Sequence, residues 1–248
     1  MDYSNFKIDM PNDVDFIINT IKSHGHQAYA VGGCVRDSIM GLTPNDWDIT
    51  TSALPSDIKE YFNKTIDTGI EHGTVTVMLH NVGYEVTTYR IDGEYKDGRH
   101  PSSVEFSDRL TDDLCRRDFT INAMAYNNVT GLVDEYGGID DINNRIIKCV
   151  GNPIERFTED ALRMMRAIRF SAQLGFSIEP DTFKAIEKLN RNIDKVSMER
   201  VCVELKKTLL SDNPDYCSLY ATTGLFNNIL PVIADNLTGR YAKKLLLT

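Results

Sequence analysis

Apolar positions along the chain divide it into segments with different periods. Val14, Ile17, Ile18 and Ile21 recur at helical spacing, so residues 12–24 read as an amphipathic helix that Asn12 can cap. The run Ala28-Tyr29-Ala30-Val31 reads as a strand, Gly32 and Gly33 turn it, and Cys34 to Met40 reads as a short helix. Ile49-Thr50-Thr51, led by Asp46-Trp47-Asp48, reads as the next strand, and Pro55 opens a helix through about Phe62. Two β-branched runs, 74–79 and 85–90, joined by a short Asn/Gly connection, read as a hairpin. Residues 91–103 hold Gly93, Gly98 and Pro101 among five charges and read as a solvated loop. Residues 107–118 read as a helix, and Gly131, Gly137 and Gly138 punctuate a turn-rich stretch.

From Thr158 onwards the pattern is mostly helical. Thr158 can cap a helix through about Leu174, with Gly175 as its stop, and further helices fit 181–190, 198–210 and 214–223. The predicted fold is α+β: a mixed-sheet domain over residues 1–145, then a helical domain over 146–248.

Composition narrows the class. Charged residues make up 25% and hydrophobic ones 42% of 248 residues, ordinary values for a globular chain. No apolar run approaches the roughly 20 residues of a membrane helix, and the start, MDYSNFKIDMPND, is unlike a signal peptide. Five scattered cysteines without a CxxC pair point to reduced thiols in a cytoplasm rather than a zinc site or a disulfide frame. Net charge is −9, and all of it lies in residues 1–118, with 11 Lys/Arg against 20 Asp/Glu; the remainder carries 16 of each. No strongly basic patch stands out, so a sequence-independent hold on nucleic acid is modest.

The acidic half also holds the candidate chemistry. Glycines at 32 and 33 let backbone amides approach a ligand closely, and a strand, a glycine turn and a helix start favour a phosphate. Arg36 adds a cation. Asp46 and Asp48, two apart ahead of a β-branched run, are expected on one strand face, where they repel unless a cation lies between them; beside triphosphate oxygens that cation is Mg²⁺. A GG pair alone marks a turn, and a DxD alone is common. About ten residues apart in strand–turn–helix–strand context, the two reinforce each other. In the helical half, Asp160 and Arg163 stand three apart with Arg166 and Arg169 nearby, opposite Leu162, Met165 and Ile168. Spacing alone describes an exposed ion pair worth a few tenths of a kcal/mol.

Six stretches in order, GGCVRD (32–37), DWD (46–48), EVTTYR (85–90), DGEYKDGRHP (92–101), RRDFTINA (116–123) and EDALRMMRAIRF (159–170), resemble the class II tRNA nucleotidyltransferase (CCA-adding enzyme) and bacterial poly(A) polymerase family. The resemblance implies a nucleotidyltransferase-type mixed-sheet head followed by a helical neck and body. It implies an Mg²⁺-dependent enzyme that takes CTP and ATP and extends a tRNA 3′ end, with a poly(A) polymerase or a non-catalytic nucleotide-binding regulator as the alternatives. Asp46 and Asp48 then hold metal, with Glu85 as a candidate third carboxylate. Arg116, Arg117, Asp118 and Asn122 contact sugar and triphosphate, although Arg117 and Asp118 also fit a structural ion pair. The 91–103 loop serves the switch from C to A addition. Asp160 and Arg163 read the incoming base: arginine only donates and aspartate only accepts, a pattern that suits cytosine and adenine. The EDALRMMR wording lies nearer the CCA-adding branch. Family members continue into a tail, whereas this chain stops at Lys243-Lys244-Leu245-Leu246-Leu247-Thr248. Either the sequence is a piece of a longer chain, or a homo-oligomer or a helper replaces the tail.

Overall fold

The computed structural model describes residues 6–93 and 103–230, which form two compact units. The first holds residues up to 93 and 103–142. In chain order it comprises α1 (Asn12–Ser23), β1 (Ala28–Val31), α2 (Gly33–Ile39), β2 (Asp48–Thr51), α3 (Pro55–Tyr61), β3 (Thr65–Gly69), β4 (Thr74–Leu79), β5 (Val82–Thr88), β6 (Arg90–Asp92), β7 (Val104–Phe106), α4 (Leu110–Cys115), β8 (Met124–Asn127), β9 (Gly131–Asp134) and α5 (Gly138–Asn143). The second, from residue 143, comprises β10 (Ile146–Ile147), α6 (Pro153–Glu159), α7 (Leu162–Leu174), β11 (Ser177–Ile178), α8 (Pro180–Leu189), α9 (Met198–Leu209), α10 (Ser218–Thr222) and α11 (Leu225–Ile229). Among the described residues no helix is long and apolar enough to cross a membrane.

A mixed seven-stranded sheet in the order β3-β4-β5-β2-β1-β8-β9 carries the first unit. β1 lies antiparallel between β2 and β8, whereas β2 and β5 run parallel with Ile49 beside Val86 and Thr50 beside Thr87. One step earlier on both strands, Asp48 and Glu85 therefore lie level on one face. The opposite face is covered by α1, whose Val14, Ile17, Ile18 and Ile21 are buried as their spacing predicts, and by α3 with Ile58 buried. On the Asp48 face, Leu110 and Leu114 of α4 pack with Tyr29, Val31, Tyr89 and Ala125.

The strands that sequence periodicity missed lie where tertiary pairing overrides weak local signals. β3 is mostly exposed and short, so it shows no apolar alternation. β8 is buried on both faces and reads Met-Ala-Tyr-Asn, without a polar partner for each apolar residue. The predicted loop at 91–103 is strand at both ends, where Arg90–Asp92 pairs with Val104–Phe106, and residues 94–102 lie outside the described residues, as does the chain end at 231–248. The predicted helix at 107–118 is shorter, Leu110–Cys115, and α1 starts at Asn12 without a side-chain cap.

In the second unit the expected helix from Thr158 is two helices. Thr158 belongs to α6, the chain extends at Asp160 (φ −137°, ψ 105°), and α7 begins beyond it. Asp160 causes the break: its carboxylate accepts from the Leu162 N–H at 3.0 Å, offering the backbone an alternative to the helical ladder. Leu162, Met165 and Ile168 are buried, and Gly175 stops α7 in the left-handed conformation as expected. The unit is not wholly helical, since β10 and β11 form a two-residue parallel ladder.

Gly138 opens α5 where a β-carbon would lie 2.5 Å from the Thr120 carbonyl oxygen and 2.9 Å from Met124 Cγ. Neither neighbour can yield cheaply, because one is backbone and the other is fully buried. Gly138→Ala is expected to cost about 1–3 kcal/mol, read as a fall of roughly 3–10 °C in melting temperature.

Candidate functional site

The turn after β1 is built around Gly32. Its φ of 86° is costly for other residues, and its N–H donates to the Met124 carbonyl at 3.2 Å. The position has a second constraint, since a β-carbon there would stand 3.0 Å from Arg117 Nη1. A guanidinium thus lies against the glycine turn, and Gly33 follows as the first residue of α2. Arg36 does not add an open cation here. It is 7% exposed, its Nε and Nη2 donate to Asp37 at 2.8 and 2.7 Å, and its Nη1 donates to Asn122 Oδ1 at 2.6 Å. Asn122 in turn donates to Asp118 Oδ1 at 3.3 Å, and the same oxygen accepts from Phe119 N–H. Arg36, Asn122 and Asp118 form a buried frame that fixes the turn from below.

Asp48 opens β2, while Asp46 precedes the strand and is exposed, so the two are not an alternating pair on one strand. They remain coupled through space. Asp48 is pushed up to about 6, first by the surrounding protein, which disfavours its charge, and further by Asp46 and Glu85; Arg117 pulls the other way. By surface area Asp48, like Asp46, is nonetheless exposed. The protein therefore crowds the carboxylate without sealing it off, leaving a face open to a ligand. One destabilised carboxylate with two further acids near it suits a hard cation. Among the described residues no three such side chains are close enough to hold an ion unaided. A metal that takes one or two carboxylates and completes its shell with water and phosphate fits this donor set.

Arg116 and Arg117 are placed by a residue that the motifs did not mark. Asp113 of α4 has no exposed surface. Its Oδ1 accepts from Arg116 Nε and Nη2 at 3.0 and 2.5 Å, and its Oδ2 accepts from Arg117 Nη2 at 3.1 Å. Burial alone would raise this carboxyl, but the two guanidiniums hold it below the usual range. The ion pair that holds Arg117 is thus with Asp113. The spacings i,i+3 and i,i+4 from Asp113 were the legible signal.

In the helical unit the expected pairing is replaced by another. Asp160 and Arg163 do not sit on one uninterrupted helix. Asp160 binds Arg200 at 2.9 Å, and Arg163 binds Glu159 at 2.6 Å and the Arg156 carbonyl at 3.2 Å. Glu159 also pairs with Arg156 at 2.5 Å. Arg169, read as part of a polar stripe, is buried: it pairs with Glu204 at 2.5 Å and stands 3.8 Å over the Phe170 ring. Arg166 stands 5.3 Å from the centre of the same ring. Nothing in the local spacing signals Arg200 or Glu204, which come from α9.

Residues 28–148 match the family described as the poly A polymerase head domain, and residues 175–237 match the one described as a probable RNA and SrmB-binding site of polymerase A. The CCA-adding enzyme of Ligilactobacillus salivarius is 49% identical over 218 residues, covering 83% of this chain and 54% of its own. That of Limosilactobacillus reuteri is 50% identical over 198 residues, covering 80% and 49%. Among solved structures, the Bacillus stearothermophilus CCA-adding enzyme in complex with CTP shares 45% identity at a TM-score of 0.79, covering 85% of this chain and 51% of that one. The Thermotoga maritima CCA-adding enzyme complexed with tRNA shares 25% at 0.75, covering 93% and 56%. The chain spans about half the length of the curated relatives it matches.

The raised carboxyl of Asp48 has a consequence for stability. A native value near 6 against an ordinary 3.8 means that the folded state holds this proton more tightly. Stability therefore falls as pH rises from about 4 to about 6 and stays lower above. In metal-free buffer Asp48→Asn escapes this loss. It is expected to melt about 2–4 °C above the parent at pH 7.5, a figure kept small because water screens the site. The gain should vanish near pH 4, which melting curves across pH will check.

Proposed function

We propose that this chain, which belongs to the class II tRNA nucleotidyltransferase and bacterial poly(A) polymerase family, adds C and A residues from CTP and ATP to a tRNA 3′ end without a nucleic-acid template. The observation that carries this reading is geometric: Asp48 and Glu85 lie level on paired strands, with Asp46 close by in the chain and the Arg117 guanidinium at the glycine turn. Nucleotidyl transfer in this family is divalent-metal chemistry, and we infer Mg²⁺ as the ion. When bound, it supplies Lewis-acid activation of the 3′-hydroxyl and charge neutralisation at the departing pyrophosphate.

The chain's own groups do the rest. Asp46 and Asp48 hold the metal, and Glu85 adds the third carboxylate. Gly32, whose N–H is held by the Met124 carbonyl, leaves room for the phosphates, and the Gly33 amide at the start of α2 approaches them. Arg116 and Arg117 neutralise triphosphate charge from a fixed fork. Arg36, Asp118 and Asn122 act mainly as the frame that keeps the turn and the sugar position in place. Residues 6–142 form the catalytic unit in this reading, and the helical residues that follow select the base and contribute to RNA binding.

Base selection falls to Asp160 and Arg163. Their ion pairs with Arg200 and Glu159 do not exhaust them. A carboxylate has about four acceptor sites and a guanidinium five N–H donors, so each can serve its holder and a base together. Donors and acceptors in that combination match cytosine and adenine and mismatch uracil and guanine. Arg166 stays near this site, while the buried pairing of Arg169 with Glu204 makes it a packing residue. Substrates of this kind place the reaction in the cytoplasm.

The test is to incubate tRNA lacking its terminal nucleotides with each labelled triphosphate and to size the products. Ordered addition of two C residues and one A is expected; long A runs would point to a poly(A) polymerase, and no incorporation to a binding regulator. Arg163→Ala is expected to lower kcat/KM for CTP and ATP by about 10- to 100-fold, the loss of a charge-assisted hydrogen bond, while UTP and GTP change little. Unchanged selectivity across the four triphosphates would remove Arg163 from the base site.

A further inference from the structure

Thr50 stands two residues beyond Asp48 on the same face of β2 and is completely buried. A buried hydroxyl requires partners, and this one has two: the Thr87 carbonyl of β5 at 3.3 Å and Asp113 Oδ2 at 3.1 Å. The second contact is unusual in what it joins. Asp113 Oδ2 is the same oxygen that receives Arg117 Nη2, and Arg117 Nη1 is the atom that crowds Gly32. A single carboxylate oxygen therefore links the strand of the metal-binding acids to the cation at the phosphate turn. Arg117 can turn about several bonds, and salt bridges of long side chains do not by themselves fix position. A short, β-branched side chain on a central strand does, because its rotamers are few.

We propose that Thr50 is a positioning residue: its hydroxyl, through Asp113, sets the place of Arg117 relative to Asp48 and so the grip on the triphosphate. The role rests on the nucleotidyl-transfer reading above. Base choice does not pass through it, so its loss weakens CTP and ATP alike. The metal-binding acids are untouched, so the effect falls on nucleotide affinity more than on the chemical step.

Thr50→Val removes the hydroxyl at nearly constant volume, and Thr50→Ser keeps it. Binding of inorganic tripolyphosphate in Mg²⁺ buffer, followed by calorimetry, reads the grip of Arg117 without any turnover. Thr50→Val is expected to weaken this binding on the order of tenfold, the scale of one hydrogen bond to a charged group. KM for CTP and ATP should rise by a similar factor while kcat changes less than threefold. Thr50→Ser should restore most of the affinity. In an Arg117→Ala background, Thr50→Val should add little, because the positioned group is gone.

Parent-like tripolyphosphate binding by a folded Thr50→Val, or a loss that Thr50→Ser does not repair, overturns the proposal alone. So does a Thr50→Val loss of equal size with and without Arg117, which would mark a general packing defect. A parent chain that binds no tripolyphosphate and incorporates no nucleotide overturns the functional reading and this proposal with it. Should Thr50→Val fail to fold, Thr50→Ala and Thr50→Cys repeat the same comparison with smaller or weaker-bonding side chains, and the same outcomes decide.

Discussion

Asp113 has no exposed surface, and burying a carboxylate is costly unless charge and hydrogen bonds compensate it. Arg116, Arg117 and Thr50 together do so, and each comes with its own obligation. Arg117 must lie against the glycine turn, Arg116 must stay at the end of α4, and Thr50 must hold β2 in place beneath both. One buried charge thus joins two long guanidinium side chains and one stiff threonine in a single arrangement. Removing the charge would free all three at once, and removing any one donor would leave the charge under-compensated. The glycine turn, the arginine pair and strand β2 are tied together through this one carboxylate.

The electrostatics of the site have two signs held close together. Asp46, Asp48 and Glu85 repel one another and would repel a triphosphate, while Arg117 attracts it. In the nucleotidyl-transfer reading proposed above, a metal would relieve the acids while a triphosphate would meet Arg117. The net charge of −9 lies wholly in residues 1–118, the part of the chain that holds Asp46, Asp48 and Glu85.

Much of this was legible in the sequence. The amphipathic period of α1, the turn at Gly32 and Gly33, and the stop at Gly175 all come from local chemistry, and local chemistry is what a sequence displays. The misses share a different origin. β3, β6, β7, β8 and β9 are short strands stabilised by neighbours far away in the chain. The break at Asp160 comes from one side chain competing with the helix, which an apolar period through Leu162, Met165 and Ile168 conceals. Asp113 carried a readable i,i+3 and i,i+4 signal toward the two arginines. Thr50 and Arg200 carried none, because their partners lie 63 and 40 residues away. The pairing of Asp160 with Arg200 shows that a three-residue spacing does not decide which partner holds a charged side chain.

The parallel pairing of β2 with β5 has an implication for how such chains diverge. Parallel neighbours force the backbone to cross over, and here α3, β3 and β4 make that crossing between Asp48 and Glu85. The third acid is therefore placed by strand register, and the length of the intervening segment is chemically neutral. Insertions or deletions at the exposed His80-Asn81 tip, where both residues already adopt positive φ, would change the numbering of Glu85 without moving its carboxylate. A search pattern with fixed gaps would find the first two acids in a diverged relative and lose the third; alignment by strand pairing would recover it.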